Sequence, residues 1–161
     1  SVFGIILRMS KNDLLKQLEA LLDPSDEAVT SLANASALLF SETKGLNWAG
    51  FYLLKGDALY LGPFQGKPAC TRIPVGKGVC GTAIAKDKTQ RVGDVHAFPG
   101  HIACDGASES ELVVVLHTND GTPVGVLDLD SPEKERFSEQ DAALMEQAAA
   151  LIARAVEEKL R

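Results

Sequence analysis

The strongest constraint on the fold is a pair of apolar, β-branched runs, Leu112–Thr118 and Val124–Asp130, separated only by Asn119-Asp120-Gly121-Thr122-Pro123. A turn-rich pentapeptide leaves too little chain for a crossover, so the two runs must pair antiparallel as a hairpin. A second hairpin is expected where Trp48–Leu54 and Ala58–Leu61 flank Lys55-Gly56-Asp57. Ser10 or Asn12 is expected to cap a first helix with Leu14, Leu15, Leu18, Leu21 and Leu22 on one face, broken by Asp23-Pro24-Ser25. Ser25 is expected to cap a second helix, with Glu27 in its first turn, carrying Val29, Leu32, Ala33, Ser36, Ala37, Leu39 and Phe40 and ending near Gly45. Gly62–Cys70 reads as loop, Thr71–Ile73 and Gln90–Val92 as short strands, and Val79–Lys86 as a short helix. Ser138, with Asp141 three residues on, is a capping signal for a long C-terminal helix through Arg161. The order ααβββαβ-loop-ββα, with hairpins in place of βαβ crossovers, predicts an α+β fold: a central antiparallel sheet with the N- and C-terminal helices packed against it.

The 161 residues suffice for one sizeable core, and no repeat or linker divides them. A formal net charge of -6 excludes non-specific nucleic-acid binding, which needs a basic face. No apolar run reaches the 18 or so residues of a membrane helix. Residues 1–8 contain the apolar run Val2–Leu7 without a preceding positive charge or a small-residue cleavage site, a poor signal peptide. They are read as an extension outside the fold and a candidate artificial remnant, with 9–161 as the domain. Three cysteines, an odd count without an export signal, imply a reducing, cytoplasmic setting where a disulfide is transient and catalytic.

Gly93–Ser110, with four Gly or Pro positions, His96, His101 and Cys104, shows no sustained period. A loop this long in a compact domain usually has a function. Cys104 and Cys70 sit in polar loops where a thiol can be approached, whereas Cys80 opens a helix of small residues and fits a core position. A structural zinc site among these cysteines and histidines finds no support in the spacing, which offers no Cys-x-x-Cys pair. Asp128 and Asp130 point to the same face of their strand, about 7 Å apart, and the hairpin brings Glu111 beside them. The bland reading is that this strand end emerges into solvent. The sharper one is a carboxylate cluster at one mouth of the sheet, next to the Cys104 loop. Mutual repulsion would leave one of its members protonated near neutral pH. A thiolate beside a proton donor suits sulfoxide reduction, because the sulfur becomes electrophilic as its oxygen is protonated. Trp48 and Tyr52, four apart on a strand, are core by default or else the wall of an apolar pocket suited to a methyl-thioether.

Four segments occur in order: Gly76-Lys77-Gly78-Val79-Cys80-Gly81-Thr82-Ala83, Asp94-Val95-His96-Ala97-Phe98-Pro99-Gly100-His101-Ile102-Ala103-Cys104-Asp105, Ser110-Glu111-Leu112-Val113-Val114, and Gly125-Val126-Leu127-Asp128-Leu129-Asp130-Ser131-Pro132. Together they closely resemble the free methionine-(R)-sulfoxide reductases, a GAF-domain family, from about Met9 to the end. The resemblance implies a GAF fold, Cys104 as nucleophile and Cys70 as the usual resolving cysteine, with Cys80 a third cysteine of less settled role. It further implies Trp48 and Tyr52 around the substrate methyl group, and Glu111, Asp128 and Asp130 on the sulfoxide and amino group. It implies no bound cofactor, thioredoxin as external reductant and a homodimer. The substrate carboxylate, with no basic residue evidently placed for it, is expected to meet loop backbone N–H groups. One departure is Val114-Val115-Leu116, where the family pattern carries a proline. The alternatives are a non-catalytic GAF module sensing a small molecule or redox state, and a redox-responsive structural protein. The sensor does not need Cys70 and Cys104 together with three carboxylates, and the structural protein predicts a Cys70–Cys104 disulfide with no selectivity for any sulfoxide.

Overall fold

The computed structural model describes residues 11–104 and 106–160. The extension 1–8 and a cap at Ser10 lie outside them. Helices α1 (Lys11–Leu21) and α2 (Ala28–Glu42) lead into strands β1 (Trp48–Lys55), β2 (Ala58–Gly66) and β3 (Arg72–Pro74). Helix α3 (Gly78–Lys86), strand β4 (Gln90–Val92) and a single 3₁₀ turn (Val95–Ala97) follow. Strands β5 (Ser110–His117) and β6 (Pro123–Ser131) and helix α4 (Glu139–Leu160) complete the chain. The sheet order is β3-β2-β1-β6-β5-β4, and every neighbouring pair is antiparallel. This is the expected α+β arrangement.

The central strands β1, β6 and β5 send alternate residues to two different cores. Ala49, Phe51, Leu112, Val114, Leu127 and Leu129 pack on α1, α2 and α4 through Leu18, Leu39, Met145 and Ile152. Trp48, Tyr52, Val113, Val115 and Val126 face the other way, against Val79, Cys80 and Ala83 of α3. One face is thus sealed by three helices, and the other is covered only by a short helix and loops. The candidate site lies on this second face.

Several local expectations are corrected. Ser25 does not cap α2. Its N–H and hydroxyl both donate to Asp23 Oδ1, at 2.9 and 2.8 Å, and the helix starts three residues later behind Glu27. Asn12 lies inside α1 and so is not its cap. Leu21 turns outward from α1, while Leu14 and Leu18 are buried. Val29 of α2 is 63% exposed and Ala33 is exposed too, while Ser31 and Ala35 are buried, so the inward stripe is rotated from the one expected. The stretch from Gly62 to Gly66 is strand, not loop. Pro63 and the two glycines read as breakers, but β1 pairs with this segment through a register shift near Gly50–Tyr52. The Ser138–Asp141 cap forms as expected, each backbone N–H donating to the other's side chain at 2.8 and 3.0 Å.

Candidate active site

Register builds the site. Glu111 of β5 stands opposite Asp130 of β6, and Asp130 stands opposite Trp48 of β1. Directly opposed residues share a face, so Trp48, Asp130 and Glu111 form one row. Asp128 lies in the next row, between Gly50 and Val113, and Tyr52 pairs with Val126 beyond it. Gly50 is required there, because a Cβ would collide with Phe64, whose ring stacks on Trp48 at a centroid distance of 5.1 Å. The three carboxylates therefore meet at one end of the sheet. The departure at Val114-Val115-Leu116 leaves this intact, since the β5–β6 pairing is regular up to Leu116.

The Cys104 loop is pinned at both ends over this row. Val95, fully buried, donates its N–H to Glu109 O at 2.9 Å, and Glu109 N–H donates to Ser131 O at 2.8 Å. The Asp94 side chain caps the 3₁₀ turn by accepting from His96 N–H at 3.0 Å. The excursion between these anchors places Cys104 in a disulfide with Cys70, with a Cα–Cα distance of 5.3 Å. The aromatic pair holds the other half of that bridge. Tyr52 hydroxyl donates to Cys70 O at 2.8 Å and Trp48 Nε1 donates to Lys67 O at 3.1 Å, with the two rings stacked at 5.9 Å. Trp48 and Tyr52 are thus both cavity wall and supports for the Cys70 segment.

The cavity is lined by Trp48, Tyr52, Cys80, Cys104 and the carboxylates of Glu111, Asp128 and Asp130. Its free volume of about 40 Å³ holds a few waters and no amino acid. Every site residue expected from the sequence is accordingly near it, Cys70 through the disulfide. His101 and Ser108 also line it and were not expected. His101 lay in the string ending at Cys104 and could have been found; Ser108 carried no signal. Helix α3 enters through Gly78, whose φ of +61° favours glycine and whose Cβ position would lie 3.2 Å from Ile102 of the Cys104 loop. Gly78→Ala is expected to cost about 1–2 kcal/mol from the left-handed backbone alone, read as a lower urea midpoint with unchanged slope.

Burial sets the electrostatics. Asp128, 5% exposed, has its carboxyl pushed well above the ordinary range, first by burial and then by the charges of Asp130 and Glu111. Glu111 is also raised by burial, but hydrogen bonding with Asp128 and the nearby His101 oppose the shift. Of these two carboxyls, Asp128 is the one whose neighbours reinforce the effect of burial. Cys80 is buried, with Sγ 3.9 Å from Glu111 Oε2, and its thiol is pushed well above the usual value by burial and then by Asp128 and Glu111. It is a thiol, not a thiolate, and a poor nucleophile. Burial likewise raises the Tyr52 hydroxyl, which stays a donor. A half-buried redox cysteine pair beside a carboxyl of raised proton affinity and an aromatic wall can couple proton donation to two-electron chemistry at sulfur.

The GAF domain family matches residues 17–156. Protein YtsP of Bacillus subtilis (strain 168) is 54% identical over 145 residues, 89% of this chain and 88% of that protein. The free methionine-R-sulfoxide reductase of Escherichia coli (strain K12) is 51% identical over 140 residues, 87% of this chain and 84% of that protein. The crystal structure of the free methionine-R-sulfoxide reductase of Neisseria meningitidis in complex with its substrate superposes with a TM-score of 0.84 at 46% identity, covering 91% of this chain and 88% of that one. No helix among the described residues is long and apolar enough to cross a membrane.

Proposed function

Because this chain belongs to the free methionine-R-sulfoxide reductases, a family built on the GAF domain, we propose that its cavity reduces free L-methionine-(R)-sulfoxide by attack of the Cys104 thiolate on the sulfoxide sulfur. The chain is an oxidoreductase acting on a sulfoxide. The observation that carries the mechanism is the meeting, in one cavity, of the Cys70–Cys104 pair with a carboxyl that burial and its acidic neighbours push well above the ordinary range. In the reduced protein, Asp128 gives its proton to the sulfoxide oxygen as Cys104 attacks. The sulfur of the substrate gains two electrons and leaves as methionine, and Cys104 becomes a sulfenic acid. Cys70 then attacks Cys104 Sγ, water departs and the disulfide forms. Thioredoxin, proposed as the external reductant, returns both thiols.

The substrate methyl group is placed against Trp48 and Tyr52. Glu111 and Asp130 are the partners for the substrate ammonium, and Asp128 faces the sulfoxide. Backbone N–H groups of the Cys104 loop and of the start of α3, where Gly78 and Val79 line the cavity, are the partners for the carboxylate. Reduction of the disulfide precedes the chemical step, since only the free Cys104 thiolate can attack the sulfoxide. A cytoplasmic setting and a homodimer belong to the same reading, with 9–161 as its single GAF domain. No bound cofactor enters any step.

The test is NADPH consumption with thioredoxin, thioredoxin reductase and free methionine-(R)-sulfoxide. Turnover is expected with the R epimer and not with the S epimer or with sulfoxide in peptides. No turnover with Cys104 demonstrably reduced would leave the sensor reading in its place. A Cys70–Cys104 disulfide that forms without selectivity among sulfoxides would favour a redox-responsive structural protein.

A further inference from the structure

One buried group in the cavity has no part in this chemistry, the Cys80 thiol. Cys80, Glu111 and Asp128 each present a donor atom within 4.8 Å of the other two, and all three residues are buried. They come from α3, β5 and β6, elements fixed by the sheet and by the core beneath α3. Asp128 Oδ1 is buried without a hydrogen-bond partner, and Asp128 lines the cavity. Asp128 thus keeps one oxygen with unused acceptor capacity in the cavity wall, available to a ligand. The spacing suits a metal. With Zn–S near 2.3 Å and Zn–O near 2.1 Å, the S···O edge of a tetrahedron is about 3.6 Å. The Cys80 Sγ–Glu111 Oε2 distance of 3.9 Å closes to this edge with a small shift.

We infer that Cys80, Glu111 and Asp128 form a thiolate–dicarboxylate site for a thiophilic divalent cation such as Zn²⁺, with its fourth position open to the cavity. Binding displaces the protons of Cys80 and Asp128 to solvent, and the cation offsets two of the three resulting negative charges. A neutral thiol in an acidic cavity is thereby turned into a ligand, since a bound cation deprotonates its thiol outright. The cation would occupy the acidic end of the cavity, so binding excludes the substrate and inhibits turnover reversibly. The other donor cluster, Asp94, His96 and Glu109, is different. His96 is exposed and Lys134 Nζ already lies 3.4 Å from Asp94 Oδ2.

Binding rests on the geometry alone, and inhibition rests also on the proposed function. The oxidised protein isolates the site, because the Cys70–Cys104 bridge leaves Cys80 as the free cysteine. Cobalt(II) titrated into oxidised wild-type protein should bind once per chain, with thiolate-to-cobalt charge-transfer absorption and the visible bands of tetrahedral cobalt, and zinc should displace it. Cys80→Ala should abolish the charge-transfer band. Glu111→Gln, which leaves α3 untouched, should weaken cobalt binding by on the order of 100-fold, the upper end of the loss seen when a supporting group around a metal is removed. In the reduced enzyme, zinc should raise the apparent KM for the sulfoxide in wild type and not in Cys80→Ala. No cobalt uptake, uptake without the thiolate band, or the same band in Cys80→Ala would overturn the site. Zinc inhibition that does not compete with sulfoxide would overturn the inhibitory role. Absence of sulfoxide turnover in metal-free protein would instead sink the proposed function and leave the cobalt band standing.

Discussion

Cys104→Ser should yield no methionine above the uncatalysed background, whatever reductant is supplied. A serine hydroxyl is a far weaker nucleophile than a thiolate and has no oxidised counterpart to the sulfenic acid. The comparison that gives this result meaning is Cys70→Ser. That variant keeps the nucleophile and loses its partner, so it should release about one methionine per chain and then stall as the unresolved sulfenic acid. A rapid-quench burst followed by a flat trace is the expected record, with the sulfenic acid trapped by dimedone. Cys80 is a poor substitute, because burial and two carboxylates hold it as a thiol. If Cys70→Ser cycles normally with thioredoxin, Cys80 resolves the sulfenic acid and the assignment of Cys70 fails.

The second large effect is expected at Asp128. Asp128→Asn keeps the shape of the side chain but cannot deliver a proton, and the chemical step should slow by about 10²–10⁴-fold. The same substitution should change stability in a pH-dependent way. The folded-state pKa of Asp128 is raised, so the native state binds this proton more tightly than the unfolded chain does. Its contribution to stability is fully present below the unfolded value, near pH 4. It is lost as pH rises through the folded value. Wild type should therefore lose stability relative to Asp128→Asn as pH increases from about 4 up to the folded-state value, and the difference should level off above it. Urea midpoints at a series of pH values, paired with single-turnover rates, would show activity lost and alkaline stability gained together. Parallel pH profiles for the two proteins would mean that Asp128 is not the buried acid.

Asp128 also shows how far the residues alone could be read. Two carboxylates two apart on a strand, and a third across a hairpin, were legible because the strand period and the turn fix that geometry. Which of them holds the proton was not legible. It depends on how deeply each lies beneath α3 and on which neighbours remain charged, and both follow from long-range packing. Where the structure departs from local preference, the cause is a competing contact. Ser25 was plausible as a cap until Asp23 took its hydroxyl, and Gly62–Gly66 looked like loop because strand pairing with β1 overrides local preference. His101 and Ser108 reach the cavity through the path of an irregular loop, which no periodicity encodes.

The sequence by itself determined the antiparallel α+β order, because each hairpin is closed by its own turn. It also determined the family, because the string ending at Cys104 is long and specific. Only the tertiary structure decided that Trp48 and Tyr52 support the Cys70 segment as well as walling the cavity. It also set Cys80 against Glu111 and Asp128 and left Asp128 Oδ1 unpaired. Those relations join residues 18 to 48 positions apart, and a contact at that separation exists only once the sheet has chosen its register.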